Sequence, residues 1–194
     1  MWRDNNVPDT SGAGPWLEPG AERRHDHRMM TPDIRDYCRK DFDALATLYQ
    51  RGKGDEFRFE PGFPARFPVI PLPLDETRLK AFGESEALVA EAEEGLAGAI
   101  YWQTSRIVGL LVDPKARGRG IGQTLMAAAL ARMGKAVTLD VVASNAPAIR
   151  LYESLSFQHA GQREGFYQGV AVRVLRMKRL YGHPWPYRSA PADA

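Results

Sequence analysis

The sequence is poor in three features that usually narrow the class of a protein. It has one cysteine, Cys38, among 194 residues, which excludes an internal disulfide and is typical of a reducing compartment. It has no stretch of about 18 apolar residues, so no membrane-spanning helix is predicted. Its N-terminus also lacks the apolar core of an export signal. We therefore expect a cytoplasmic protein that does not bind membranes.

Strong net charge is absent too. The formal net charge is +2, which is too small to indicate a nucleic-acid partner. His25 and His27 form a His-x-His pair without a third ligand nearby in the sequence, so no metal site is predicted. Hydrophobic residues make up 44% of the chain and charged residues 26%, a composition that favours one compact domain with a real core.

Composition divides the chain into a domain and two tails. Residues 1–30 and 182–194 are rich in glycine, proline and charge without an apolar period, which predicts flexible tails around a domain at 31–181. Inside this domain, residues 51–74 are dense in proline and phenylalanine and cannot form a regular helix. This segment either shapes a binding site or covers the core, and the sequence leaves both interpretations open.

Hydrophobic periodicity predicts alternating strands and helices. Two nearly continuous apolar runs, 106–112 and 136–142, flank a helical pattern at 121–133, which indicates two parallel strands joined by a right-handed crossover. Shorter patterns predict further helices and strands. The helices are expected near 42–49, with Asp41 as a candidate N-cap, and near 75–82 and 144–155. The strands are expected at 34–38, 87–92, 96–104, 157–161 and 170–180.

The stretch "DPKARGRGIGQTL", residues 113–125, indicates an anion site at a helix start. A helix N-terminus carries unpaired N–H groups and partial positive charge, and glycines let the backbone approach a phosphate. The glycines fall at 118, 120 and 122, among Lys115, Arg117 and Arg119. This spacing fits neither a P-loop nor a dinucleotide fingerprint. A glycine-rich turn without any ligand is the alternative.

Two motifs together resemble a known family. Arg117-x-x-Gly120-x-Gly122 follows a strand that ends "LLVDP", as in the signature of the GNAT N-acetyltransferases. The run "NAPAIRLYESLSF", 145–157, resembles the Asn-x-x-Ala-x-x-Leu-Tyr-x-x-x-Gly-Phe helix of the same family. Ser156 stands where the family usually has glycine, which implies a different or strained helix end.

The resemblance implies a fold and a co-substrate. The fold would be mixed α/β, with a central, mostly antiparallel, twisted sheet of about six or seven strands, one splayed parallel pair, and flanking helices. Acetyl-CoA would bind at the glycine-rich turn and in the splay, without a metal. The residues that would contact it are Leu110, Val112, Arg117, Gly118, Arg119, Gly120, Ile121, Gly122, Asn145 and Tyr152.

The resemblance also implies two catalytic groups. The Val112 N–H would stabilise the oxyanion that forms during acyl transfer. Tyr152 would protonate the departing sulfur of the coenzyme. For Leu110 and Val112 only the backbone is assigned a function, and their side chains are expected in the core. Tyr152 could also be ordinary core, since an aromatic residue on an apolar helix stripe usually is.

Asp140 is the first candidate for the base. It interrupts the apolar run "AVTLDVV", and a buried carboxylate needs a partner or a task. An ion pair is the alternative. "LDVVASNAPAIRLYESL" resembles the RimI-like branch of the family, in which a glutamate at this position serves as base; the shorter aspartate would act through water. Glu91 is a second candidate, and "GQREGFY" implies that Tyr167 faces the acceptor.

The resulting hypothesis is an acetyl-CoA-dependent N-acetyltransferase that acts on a primary amine, with a peptide or protein N-terminus slightly favoured over a small molecule. A CoA-binding sensor or interaction module without catalysis is an alternative of another class. A nucleotide-binding module fits less well because of the glycine spacing. The sequence leaves the acceptor open, and the oligomeric state could be a monomer or a homodimer.

Overall fold

A computed structural model describes residues 32–93, 95–134 and 136–180. The predicted tails and the His25/His27 pair lie outside these residues. The strands are β1 (Asp33–Asp36), β2 (Glu86–Ala92), β3 (Gly95–Gln103), β4 (Arg106–Val112), β5 (Ala136–Val142), β6 (Gln158–Tyr167) and β7 (Val170–Leu180). The helices are α1 (Phe42–Gly52), α2 (Glu76–Gly83), α3 (Ile121–Arg132) and α4 (Ala146–Ser154).

The strands form a seven-stranded sheet in the order β1-β2-β3-β4-β5-β7-β6. Every neighbouring pair is antiparallel except β4 and β5, which are parallel and joined through α3. The mostly antiparallel sheet with one parallel pair is therefore confirmed. A parallel pair needs a long crossover, and α3 supplies it.

The parallel pair opens after two residues. β4 and β5 are paired at Arg106 with Thr138 and at Ile107 with Leu139, and their ladder ends there. β4 stays paired with β3 as far as Val112, while β5 stays paired with β7 as far as Val142. The sheet therefore divides in the middle and leaves a gap between the C-terminal halves of β4 and β5.

Apolar side chains cover both faces of the sheet. On one face α3 buries Leu125, Met126 and Ala129, whose spacing of one, three and four residues puts them on one side of the helix. On the other face α1 buries Leu45 and Leu48. No helix among the described residues is long and apolar enough to cross a membrane.

Two local expectations need correction. The strand predicted at 157–161 is β6, which continues to Tyr167. It lies at the edge of the sheet and most of its side chains are exposed, so its sequence shows little of the apolar alternation on which prediction depends. Asp41 does precede α1, but its carboxylate makes no cap bond. It binds the Arg35 guanidinium at 2.7 Å and accepts from the Cys38 N–H.

Candidate active site

The glycine-rich turn links β4 to α3. Asp113 accepts a hydrogen bond from the Lys115 N–H at 2.9 Å and starts a short 3₁₀ turn. The backbone then takes positive φ at Gly118 (75°) and Gly120 (78°), a conformation that costs other residues about 1–2 kcal/mol. The first backbone bond of α3 runs from the Thr124 N–H to the Gly120 carbonyl. The N–H groups of residues 121–123 therefore have no acceptor within the helix.

Gly122 serves close packing as well. A Cβ atom there would lie 3.3 Å from Leu151 Cδ2 and 3.5 Å from Val112 Cγ2. The missing side chain lets α3 approach both β4 and α4. From the sequence, Gly122 was predicted only to let the backbone approach a phosphate.

A cavity of about 400 Å³ lies beside this turn; we call it the glycine cavity. It extends from the turn to the gap in the sheet and to the start of α4. The residues of the GNAT-like motifs that line it are Leu110, Val112, Arg117, Gly118, Gly120, Ile121, Gly122, Asn145 and Tyr152. Arg119, which was predicted to bind the coenzyme, is exposed and is not part of this lining.

The backbone of β4 directs amides into the gap. The Asp113 N–H bonds to the Ala97 carbonyl, so in the β3–β4 ladder the pairs of Val112 with Gly98 and of Leu110 with Ile100 are the non-bonded ones. The N–H groups of Leu110 and Val112 therefore point away from β3 and toward the gap. The sequence assigned a backbone role to these two residues, and their orientation fits it.

Arg117 connects the turn to the 51–74 segment. Its guanidinium pairs with Asp55 and donates to the Val112 carbonyl at 3.3 Å. Arg117 therefore fixes the end of β4 against the proline- and phenylalanine-rich segment while it lines the glycine cavity.

Helix α4 places two motif residues at the cavity. The Asn145 side chain accepts from the Ala148 N–H at 3.3 Å and caps the helix. Tyr152 lies two turns later and is 8% exposed. Its hydroxyl makes no hydrogen bond with any described residue. Burial, and then the negative charge of Glu56, raise the pKa of Tyr152, so its phenol stays protonated at neutral pH.

The end of α4 explains the unusual Ser156. The Phe157 N–H bonds to the Tyr152 carbonyl and the Ser156 N–H bonds to the Glu153 carbonyl, which together form a Schellman motif. Ser156 occupies its left-handed position with φ of 65°. The helix therefore ends in the cap that glycine usually forms, and Ser156 has a strained left-handed backbone.

A second cavity, of about 240 Å³, adjoins the first; we call it the charged cavity. It lies between the end of the β4–β5 ladder, the 51–74 segment and the β6–β7 hairpin. The charged residues that line it are Lys53, Glu56, Arg78, Arg106, Asp140 and Arg163.

Asp140 stands in this wall with three cationic partners. Its carboxylate is 11% exposed and lies 3.1 Å from Arg106, 3.0 Å from Arg163 and 3.1 Å from Arg176. Burial alone would raise the pKa of Asp140, but the hydrogen bonds and charges of the arginines outweigh it and the pKa is lowered. The ion-pair alternative is therefore present, and the role of Asp140 as base stays a prediction.

Glu91 and Tyr167, the other two residues predicted near the acceptor, also have partners within the protein. Glu91 is exposed, pairs with Arg35 at 2.7 Å and lines neither cavity. Tyr167 lines the charged cavity, but its hydroxyl donates to the Pro68 carbonyl at 3.1 Å. Its ring centroid lies 4.4 Å from that of Phe57.

The 51–74 segment both covers part of the core and lines the charged cavity. Phe57 and Phe67 are buried against Tyr167 and cover part of the core. The same segment contributes Lys53 and Glu56 to the charged cavity, and Glu60 accepts from the Ser144 hydroxyl at 2.6 Å. Lys53, Glu56 and Arg78 line the charged cavity but were not predicted from the sequence. The one available signal was the pair of opposite charges three residues apart at 53 and 56.

An open parallel pair beside a helix that begins at a glycine-rich turn is the arrangement that the resemblance to the acetyltransferases implied. Residues 56–157, over half of the chain, match the model of the acetyltransferase (GNAT) family. The chain belongs to this family. The resemblance inferred from Arg117, Gly120, Gly122 and the α4 motif is therefore confirmed.

Two curated relatives share part of the chain. Mycothiol acetyltransferase of Acidothermus cellulolyticus is 42% identical over 83 residues, which cover 41% of this chain and 25% of the relative. The N-alpha-acetyltransferase RimI of Mycobacterium tuberculosis is 40% identical over 75 residues, which cover 38% of this chain and 47% of the relative. The chain thus spans a quarter to a half of the length of these relatives.

Solved structures agree in fold. The ribosomal-protein-alanine N-acetyltransferase of Brucella melitensis has a TM-score of 0.56 at 23% identity, over 76% of this chain and 99% of that one. A phosphinothricin acetyltransferase of Sinorhizobium meliloti, solved in complex with AcCoA, has a TM-score of 0.58 at 20% identity, over 84% and 97%. At such identities the likeness shows the shared fold.

Proposed function

We propose that this protein is an acetyl-CoA-dependent N-acetyltransferase that acts on a primary amine. The observation that carries the proposal is the opening of β4 from β5 directly beside the N-terminus of α3. This opening joins a row of free backbone amides to a cavity that leads to a second, charged cavity. One cavity suits a coenzyme and the other an acceptor.

The residues around the glycine cavity fit acetyl-CoA. The free N–H groups at the start of α3 suit a diphosphate. A Cβ atom at Gly118 or Gly120 would meet no protein atom within 4 Å, so this stretch of backbone is open to a ligand. The amides of Leu110 and Val112 suit the amide-containing arm of the coenzyme. When bound, acetyl-CoA supplies an acetyl group activated as a thioester.

The chain's own groups match the demands of the transfer. The reaction forms a C–N bond and breaks a C–S bond, while the amine gives up one proton and the sulfur receives one. The Val112 N–H, directed into the gap, is the donor for the carbonyl oxygen. The protonated Tyr152 hydroxyl, which has no described partner, is the proton source for the sulfur.

The acceptor can be a peptide N-terminus or a small amine. The name of the RimI relative points to the α-amine of a polypeptide, and that of the mycothiol relative to a small molecule. Phe57 and Tyr167 form part of the wall of the charged cavity. The cavity suits the N-terminus of a peptide or a compact amine.

Two measurements test the proposal. Acetyl-CoA should raise the melting temperature of the protein, whereas NAD and ATP should not, because a ligand that binds the native state alone stabilises it. CoA release should then be measured against a panel of peptides and small amines. If acetyl-CoA stabilises the protein but no amine in the panel accelerates CoA release, the non-catalytic binding module replaces the enzyme.

A further inference from the structure

The two cavities meet at a small set of residues. The residues that line both are Glu56, Leu110, Asn145, Ala148 and Tyr152. An acceptor amine and a thioester must meet where the cavities join, because each cavity holds one of them. Glu56 is the carboxylate of this set, and Asp140 lines the charged cavity alone. Glu56 is therefore better placed than Asp140 to receive the amine.

Lys53 fixes the position of Glu56. Its Nζ donates to Glu56 Oε2 at 2.7 Å, and the Lys53 side chain is 5% exposed. Burial lowers the pKa of Lys53, while the neighbouring Glu56 opposes this change. A buried, hydrogen-bonded partner holds the carboxylate in one orientation and leaves its second oxygen for a ligand.

The charged cavity has more cations than carboxylates. Four cationic side chains line it, Lys53, Arg78, Arg106 and Arg163, against the carboxylates of Glu56 and Asp140. Arg106 and Arg163 are about half exposed and share Asp140. Water screens these two well, so they bind an anion weakly. Lys53 is paired with Glu56, so the remaining positive charge of this lining belongs to Arg78.

Arg78 is less exposed than Arg106 and Arg163. Its backbone N–H is held by Asp75 at 3.1 Å, but across the described part of the chain its guanidinium has no hydrogen-bond acceptor. The side chain is half-buried in the cavity wall, near Glu56 and the rings of Tyr49 and Tyr101. A half-buried guanidinium without an acceptor among the described residues is available to a ligand, and its planar fork matches a carboxylate.

We propose that the acceptor is a primary amine that also carries a carboxylate, with its amine at Glu56 and its carboxylate at Arg78. This inference rests on the proposed function. In the transfer Glu56 accepts the proton that the amine loses, the nitrogen forms the new C–N bond, the C–S bond breaks, and Tyr152 gives its proton to the sulfur. A free amino acid and a peptide with an acidic first residue share this chemistry.

The test compares matched acceptors that differ by one carboxylate. Leucine and leucinamide form the amino-acid arm, and peptides that begin with Glu or Gln but are otherwise identical form the peptide arm. In one arm kcat/KM should favour the charged acceptor by about 30-fold or more, as expected for a desolvated charge pair. The arm that shows the preference identifies the source. Equal rates within both pairs would overturn the inference while leaving the acetyltransferase intact.

Variants locate the carboxylate site. Arg78→Met should abolish the preference: kcat/KM for the charged acceptor should fall about 30-fold more than kcat/KM for the neutral acceptor. Arg78→Lys keeps the charge without the fork and should retain part of the preference. Lys80→Met removes an exposed charge from the same helix and should leave the preference unchanged. An undiminished preference in Arg78→Met would also overturn the inference.

Glu56→Gln tests the amine end of the same site. We expect kcat to fall by about 100-fold for every acceptor, with acetyl-CoA affinity unchanged within about 3-fold. A kcat for Glu56→Gln within about 3-fold of that of the unmodified protein would remove Glu56 from the proton path. If acetyl-CoA binds and no amine, charged or neutral, is acetylated by the unmodified protein, the proposed function itself fails.

Discussion

The glycine cavity and the charged cavity are built in different ways. The glycine cavity consists largely of backbone groups and small or apolar side chains from two short, contiguous motifs. The charged cavity is lined by ionised side chains from α2, β4, β5, β6 and the 51–74 segment. Backbone amides can bind one invariant co-substrate in many proteins of a family, whereas side chains from distant segments can vary with the acceptor.

The difference extends to electrostatics. In the glycine cavity the start of α3 contributes a positive potential that cannot be removed without unfolding the helix. In the charged cavity Glu56 pairs with Lys53 and Asp140 is shared by three arginines, so the field depends on a balance of side chains. Substitutions should therefore affect coenzyme binding through geometry and acceptor binding through charge.

The largest effect is expected from Gly120→Glu. The substitution adds a negative charge where the diphosphate is proposed to lie, and it forces a left-handed backbone on a side chain. The Kd for acetyl-CoA should rise by at least about 100-fold, which corresponds to about 2.7 kcal/mol. Calorimetry measures it, and Gly169→Glu, with the same φ of 78° on the β6–β7 turn, is the control for strain. Unchanged affinity in Gly120→Glu would remove the diphosphate site.

Tyr152→Phe should have the next largest effect, and on turnover alone. Loss of a proton donor lowers kcat by about 100-fold or more, while the buried ring keeps its packing. Acetyl-CoA affinity should stay within about 3-fold. Tyr37→Phe, in a ring that packs against Phe82 and lines neither cavity, is the matched control. An equal loss in affinity and turnover would assign Tyr152 to binding.

Asp140→Asn should act mainly on stability. The change leaves three arginines without their carboxylate, and we expect the free energy of unfolding at pH 7 to fall by about 1–2 kcal/mol, because those arginines are half exposed and screened. The lowered pKa of Asp140 means that its contribution is present above its ordinary pKa of about 3.9 and is lost as the pH falls further.

The same variant also separates the two candidate bases. Denaturant melts at pH 7 and pH 3 should show a difference between Asp140→Asn and the unmodified protein that shrinks in acid. If stability is unaffected and activity falls most at low pH, Asp140 is the base after all, and Glu56 loses that role.

The smallest effect is expected from Ser156→Gly. Glycine adopts the left-handed cap without the strain that serine bears, although it gains more entropy on unfolding. We expect a net stabilisation of about 0.5–1 kcal/mol, seen as a rise of a few degrees in Tm, with activity unchanged. A fall in Tm would show that the serine side chain stabilises this turn.

Much of the fold could be predicted because its signals are local. The strands at 106–112, 136–142 and 170–180 have the predicted bounds, since each is an apolar or alternating run between turn residues. β6 was predicted too short because an edge strand is under little pressure to bury its side chains. Asp41 was placed correctly, yet its capping bond was lost to a stronger partner, Arg35.

The sequence by itself determined the family, the open parallel pair and the amide groups that point into the gap, because these depend on contiguous residues and backbone geometry. Tertiary structure alone decided that Glu56 lies where the cavities join, that the Arg78 guanidinium has no acceptor among the described residues and that Asp140 is shared by three arginines. Charge balance in a cavity is a sum over residues far apart in the chain, and only folding brings them close enough to interact.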